Sequence, residues 1–188
     1  MRFGLVKFLI AALLLTAPVV SQQTPSAPAL PAPVRVVLET RLGAITIEVD
    51  TARAPVTAAN FLRYVDAGAY DGGRFHRTVR LGNQPDKNVK IEVIQAGANP
   101  QHKDFPAIPL ERTNKTGLKH TDGCVSMARD AADTATSDCF ICIGDQPSLD
   151  FGGARNPDGQ GFAAFGRVVA GMDVARKIHA APADGQHL

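Results

Sequence analysis

Residues 70–80 read Tyr70-Asp71-Gly72-Gly73-Arg74-Phe75-His76-Arg77-Thr78-Val79-Arg80. Two glycines turn the chain. An aromatic, a histidine, an arginine and a Thr-Val pair follow, which is the composition of a strand leaving a tight turn. Strand alternation places Phe75, Arg77 and Val79 on one face, with His76 and Thr78 on the other. The same run of arginines beside a histidine also suits a phosphate site, a nucleic-acid patch or a metal-ligand set. The rest of the chain has to decide among these.

Outward from this stretch the strand signals are numerous. Val34 to Glu39 and Ala44 to Val49 are β-branched runs around Arg41-Leu42-Gly43, a hairpin pattern. The second run alternates, with Ile45, Ile47 and Val49 predicted inward and Thr46 and Glu48 outward. Phe75 to Val79, Lys90 to Gln95, Val125 to Ala128, Phe140 to Ile143 and Ala163 to Val169 read as further strands. Two helices interrupt them. Pro55 to Val65 opens on a proline suited to a first helical turn, and Gly68 is placed to end it. Val56, Ala59, Leu62 and Val65 are predicted to face the sheet. Gly171 to Ala180 is the second helix, with Met172, Ala175 and Ile178 inward. Many short strands with two helices indicate a barrel or sandwich, not a parallel α/β sheet.

The N-terminus reads differently. Arg2 and Lys7 precede the apolar run Phe8 to Leu15, and small residues follow around Ala17 to Ser21. Residues 1–21 are therefore expected to be a secretory signal peptide. The run is shorter than the 20 or so residues a membrane span needs, so no stable membrane insertion is expected. Residues 22–33 carry Pro25, Pro28, Pro31 and Pro33 and are expected to be an extended linker. The folded domain is expected over 34–188. The protein is expected to be exported and periplasmic, and monomeric.

Removal of Arg2 and Lys7 leaves 18 basic against 18 acidic residues. A neutral domain lacks the cationic excess that binding to phosphate backbones requires, so no nucleic acid is expected. The five histidines, His76, His102, His120, His179 and His187, do not pair at metal-ligand spacing, so no metal and no cofactor are expected. Cys139-Phe140-Ile141-Cys142 is a C-x-x-C pattern, but a redox pair needs a helix N-terminus. In a strand, residues three apart point to opposite faces, which favours buried structural cysteines. Cys124 makes the count odd, and one bridge remains open. Residues 152–161 are glycine-rich, but no helix and no Gly-Lys-Ser/Thr follow, so they read as a surface turn. A Ser-His-Asp arrangement is open to assembly in space, but no G-x-S-x-G elbow is present.

Taken in order, the stretches Pro55 to Val65 with its Thr57-x-x-Asn60-Phe61 core, Tyr70-Asp71-Gly72, Phe75-His76-Arg77, Ile94 to Gly97, Val125 to Arg129, Thr136 to Ile141, Leu149-Asp150 and Phe165 to Val168 resemble the cyclophilins. These are β-barrel peptidyl-prolyl cis-trans isomerases. The resemblance runs from Val34 to about Ile178. It implies a mainly β fold, a closed antiparallel eight-stranded barrel capped by two helices, acting on proline-containing polypeptides. The family's final strand has no evident counterpart: Ala181 to Leu188 reads as a turn, so the last strand is expected to be missing.

Carried over residue by residue, the resemblance makes Arg77 the catalytic arginine and Gln95 the glutamine that orients it. It places Phe75, Val93, Met127, Ala128, Arg129, Phe140, Leu149 and Phe162 at the substrate. Several positions depart from the family. Glu92 stands where a pocket phenylalanine is common, and is expected to point outward with Ile91 or Val93 filling the gap. Val93 replaces a methionine. Arg129 and Asp138 stand for an asparagine and a glutamine, and Phe162 for a histidine. Ser148 stands for the tryptophan of many eukaryotic members. Residues 80–89 and 151–161 are insertions. Two other readings stay open: a cyclophilin-like binding or chaperone module without catalysis, and a thiol oxidoreductase built on Cys139 and Cys142.

Overall fold

The structure is a computed structural model and describes residues 33–188. The expected signal peptide and all but the last residue of the expected linker lie outside the described residues. No described helix is long and apolar enough to cross a membrane.

Seven strands form one antiparallel sheet in the order β1-β2-β7-β5-β6-β4-β3. They are β1 (Val34–Thr40), β2 (Gly43–Val49), β3 (Arg74–Val79), β4 (Val93–Gly97), β5 (Cys124–Met127), β6 (Cys139–Cys142) and β7 (Ala163–Ala170). Three helices accompany them: α1 (Pro55–Asp66), the single turn α2 (Thr113–Thr116) and α3 (Met172–Ala180). The expected closed eight-stranded barrel is thus seen as a seven-stranded half-barrel. β1 and β3 stand at its two ends. The expected strand over 90–95 starts three residues late, because Lys90 to Glu92 reach the sheet only through single backbone contacts such as Ile143 N–H to Glu92 O.

Strand alternation sorts the apolar residues onto two faces. Ile45, Ile47, Ile94, Val125, Ile141 and Phe165 fill one core, closed by Phe61 of α1 and Val174, Ala175 and Ile178 of α3. The neighbouring residues Val93, Cys124, Phe140, Cys142 and Ala164 fill a second cluster on the other face, with Val79, Ile91 and Leu149. β5 and β6 are buried at every position, so both their faces are core.

The inward face of α1 is only partly the one its aliphatic residues suggest: Leu62 and Val65 pack against the core as expected, but Val56 and Ala59 do not. Thr57, Ala58, Asn60, Phe61 and Tyr64 are buried, while Val56 is 42% exposed and Ala59 is exposed. The two aromatic rings carry more apolar area than the valine and alanine, and they turn the helix by about one residue. Gly68 follows the helix with φ +64°, as its role as terminator requires.

The C-terminal residues are ordered against β3. Thr78 N–H donates to Gln186 O at 2.8 Å, and Leu188 N–H donates to His76 O at 3.1 Å. An antiparallel bridge joins Arg77 to His187. The stretch read from sequence as a plain turn therefore lies along the outer edge of β3.

Candidate functional site

One lateral row of the sheet builds the site. Arg77 of β3 faces Gln95 of β4, Gln95 faces Phe140 of β6, Phe140 faces Ser126 of β5, and Ser126 faces Ala164 of β7. Residues in register on one face lie side by side, so residues far apart in sequence meet without any special loop. A cavity of about 400 Å³ opens over this row. Ile91, Val93, Phe140, Leu149 and Phe162 give its apolar wall, and Arg77 and Gln95 its polar edge. Ala128 and Arg129 line it as well. A volume of this size accepts a few residues of peptide or a small molecule.

Phe140 and Phe162 meet edge to face with centroids 5.5 Å apart. Leu149 is 1% exposed at the end of a single 3₁₀ turn, Pro147–Leu149. Glu92 does not line the cavity. It approaches His179 at 3.9 Å, and Ile91 and Val93 take the wall on either side of it.

Arg77 is half-buried and held from two sides. Nε donates to Gln186 Oε1 at 2.8 Å, and Nη1 donates to Gln95 Oε1 at 3.1 Å. Among the described residues Nη2 has no hydrogen-bond partner and is free to donate. Burial lowers the arginine's pKa, yet a guanidinium stays charged near neutral pH. Gln95 Nε2 donates to Asp138 Oδ2 at 2.8 Å. An ionised carboxylate only accepts, so Asp138 fixes the Gln95 amide with its oxygen toward Arg77. His76 Nε2 lies 3.4 Å from the same Asp138 oxygen. Gly97 makes room for this: a Cβ there would lie 2.3 Å from Asp138 Oδ1.

The row rests on a buried polar chain that the sequence did not announce. His120 Nδ1–H donates to Asp150 Oδ1 at 2.8 Å, and Ser126 Oγ–H donates to His120 Nε2 at 3.0 Å. The His120 ring stacks on Phe140 with centroids 6.0 Å apart. Burial first, partly offset by Asp150, holds the imidazole pKa below its ordinary value. Ser126 and His120 are 0% and 1% exposed, so this serine is out of reach of any substrate and no nucleophile is formed.

Two of the expected substrate residues are not brought to the cavity. The register shifts between Phe75 and Arg77: Phe75 faces Ala96, and Arg77 faces Gln95. The bulge at His76 puts Phe75 and Arg77 on opposite faces, and Phe75 packs on the core with Ile94. The same bulge leaves His76 beside Asp138, where simple alternation had turned it away. Met127 is 1% exposed and belongs to the core cluster, one residue off the row that Ser126 occupies. Arg129 lines the cavity but is committed elsewhere. It donates to Gly161 O at 2.8 Å, forms a bidentate pair with Asp158, and lies 5.1 Å over the Phe162 ring.

The thiols are buried and free: Cys139 in one core face, Cys124 and Cys142 in the other. Burial pushes the Cys139 thiol up to about 12. A hydrogen bond with Cys124, together with burial, raises Cys142. Thiols held protonated are poor nucleophiles, so the oxidoreductase reading has no support in this geometry. Among the described residues no group of three or more His, Cys, Asp or Glu side chains is placed to hold a metal ion.

Comparison with known proteins points to one family. The model of the cyclophilin type peptidyl-prolyl cis-trans isomerase/CLD family matches residues 35–187. Peptidyl-prolyl cis-trans isomerase A of Dickeya dadantii is 36% identical over 144 residues, 76% of this chain and 70% of the relative. Peptidyl-prolyl cis-trans isomerase B of Escherichia coli is 34% identical over 145 residues, 76% of this chain and 82% of the relative. In fold, the chain is similar to a Cryptosporidium parvum cyclophilin type isomerase crystallised in the presence of the dipeptide ala-pro. That match has a TM-score of 0.65 at 21% identity and covers 82% of this chain and 90% of the other. A free arginine donor over an apolar cavity, on a sheet of this topology, in a chain so matched, is explained by one conclusion: the chain belongs to the cyclophilin-type peptidyl-prolyl cis-trans isomerase family.

Proposed function

We propose that this isomerase works through Arg77, on prolines of extended or unfolded polypeptides that pass outside the cytoplasm. The X-Pro bond turns slowly because amide resonance sets a barrier of about 18–20 kcal/mol. A cavity walled by Phe140, Leu149 and Phe162 can hold the proline ring. The free Nη2 of Arg77 then serves as the donor to the prolyl nitrogen, which becomes pyramidal and basic only as the bond twists. An interaction stronger in the twisted state than in the planar one lowers the barrier. Gln95, Asp138 and Gln186 hold the guanidinium in place beforehand, so little reorganisation remains to be done during turnover. No nucleophile, metal or redox group enters such a step.

The observation that carries this reading is the placement of Arg77 and Phe140 in one lateral row, two strands apart, at a single cavity. Export is supported by the basic residues and apolar run at the N-terminus, and a monomeric state fits a site built entirely within one chain. The test is a proline-isomerisation assay on a neutral proline tetrapeptide. Arg77→Ala is expected to lose at least about tenfold in kcat/KM, a barrier change of about 1.4 kcal/mol or more. Arg77→Lys should not restore it, since an ammonium lacks the fixed fork that Gln95 and Gln186 hold. Activity of Arg77→Ala equal to wild type sinks the assignment. Peptide binding without rate enhancement in the wild type would instead select the binding-module reading.

A further inference from the structure

The cavity has charged walls, and their distribution is uneven. Four cationic residues line it: Arg77, Lys87, Arg129 and Arg155. Arg129 is neutralised by Asp158, and Arg77 is engaged with Gln95 and Gln186. Lys87 and Arg155 form no ion pair among the described residues. Two anionic residues also line the cavity, Asp130 and Asp138.

The sheet register separates these charges. β4 runs from Val93 to Gly97, and its partner β6 runs the other way, with Val93 beside Cys142 and Ala96 beside Cys139. Asp138 precedes Cys139 and so lies at the Gly97 end, where Gln95 reaches it. Ile91 lies beyond the opposite end of β4. There Arg155 Nη1 donates to Val89 O at 2.7 Å, and Arg155 N–H donates to Ser148 O at 3.1 Å. Arg155 thereby ties the 151–161 segment to the 80–89 segment, beside Lys87. The remaining nitrogens of its guanidinium have no hydrogen-bond partner among the described residues. Its pKa is lowered, by burial first and then by the charge of Arg77. Two uncompensated cations therefore sit at one end of the groove and the Asp138 carboxylate at the other.

We propose that Lys87 and Arg155 make this groove selective for prolyl bonds carrying an Asp or Glu within two residues of the proline. The proposal rests on the cavity being the substrate site. A peptide carboxylate at the Lys87–Arg155 end removes the repulsion between Arg155 and Arg77 and gains two charge-assisted contacts. A lysine in its place adds a third cation. Charge placement of this kind acts as a filter between partners more than as raw affinity.

The experiment uses proline pentapeptides that are neutral, or carry one Glu or one Lys at each of the two positions on either side of the proline. Isomerisation is followed directly by NMR exchange, so no coupled protease imposes its own preference. At one flanking position or more, the Glu peptide is expected to exceed its Lys counterpart by about fivefold in kcat/KM at low salt. The ratio should fall toward one at about 1 M salt, where the screening length is about 3 Å. Arg155→Glu is expected to invert the ratio, and Lys87→Glu, on an exposed residue whose change spares the fold, to lower it. Equal rates for Glu and Lys peptides at every position overturn the proposal, as does a ratio that neither variant moves. Loss of all activity on the neutral peptide in Arg77→Ala, with no Glu over Lys preference in wild type, would keep the site and discard only the selectivity.

Discussion

His120 carries the clearest residue-scale consequence. Its ring is enclosed by Phe140, Ser126 and Asp150, and burial keeps it neutral. A base whose folded pKa is depressed takes up its proton more readily in the unfolded chain. Its contribution is therefore whole above the ordinary imidazole value of about 6.5 and is lost as pH falls below that, toward the folded value. The lowered carboxylates act elsewhere on the scale. Glu48 is held low first by Arg167 and Asp158 first by Arg129, and both matter only near pH 4 and below. Denaturant midpoints between about pH 7.5 and 5 should decline in the wild type. In His120→Gln the decline should flatten, with a loss at pH 7.5 of about 2 kcal/mol from the broken buried hydrogen bonds. Parallel pH slopes for the two proteins would assign the effect to another group. No local signal in Leu118-Lys119-His120-Thr121 distinguishes this histidine from the other four, because Asp150 is 30 residues away and Ser126 meets it only once the chain has turned into β5. Phe75 shows the complementary failure. Alternation is a sound rule until a bulge adds one residue, and nothing in Phe75-His76-Arg77 marks that bulge.

At the scale of elements, the strands were legible because β-branched runs and glycine turns repeat along the chain. The parts that finish the site were not. Gln186 lies in Ala181 to Leu188, a segment with no periodicity, and reaches Arg77 only because its backbone pairs with β3. Replacing it by alanine removes one of two acceptors from a half-buried guanidinium, worth about 1 kcal/mol. Gln186→Ala should thus lose about fivefold in kcat with little change in KM, since the arginine is loosened and not removed. An unchanged kcat would show that Gln95 alone positions Arg77. The 151–161 segment offers a second test. Gly161 has φ +67°, and a Cβ there would lie 2.6 Å from the backbone of Asp150 and Phe151. Its carbonyl accepts from Arg129, and its neighbour Phe162 walls the cavity. Gly161→Ala should cost about 1–3 kcal/mol of stability. It should also raise KM, as Phe162 moves off Phe140. A thermal scan and a KM measurement check the two halves separately. A raised KM at unchanged stability would mean the loop yields without strain.

For the whole molecule, the decisive property is a sheet with core on both faces. β5 and β6 lie at its centre, between β7 and β4, and every one of their residues is buried. This is why a C-x-x-C motif here is packing material: one thiol serves each face, and the odd cysteine, Cys124, meets Cys142 across the strands. The order of motifs along the chain was enough to read this architecture, but the half-barrel outline was not, since it depends on how far the last segment follows β3. All three thiols then report on opening of the central sheet and on nothing smaller. Reagent has to wait for the strands to part, so labelling should track the stability of the core. Native protein mixed with a small alkylating reagent should label slowly, with the three cysteines reacting at closely similar rates. Mild urea should speed all three together, and denatured protein should yield three thiols at once. Rapid labelling of Cys139 or Cys142 alone in native protein would mean a reachable thiolate, and would reopen the redox reading that the burial of β6 closes.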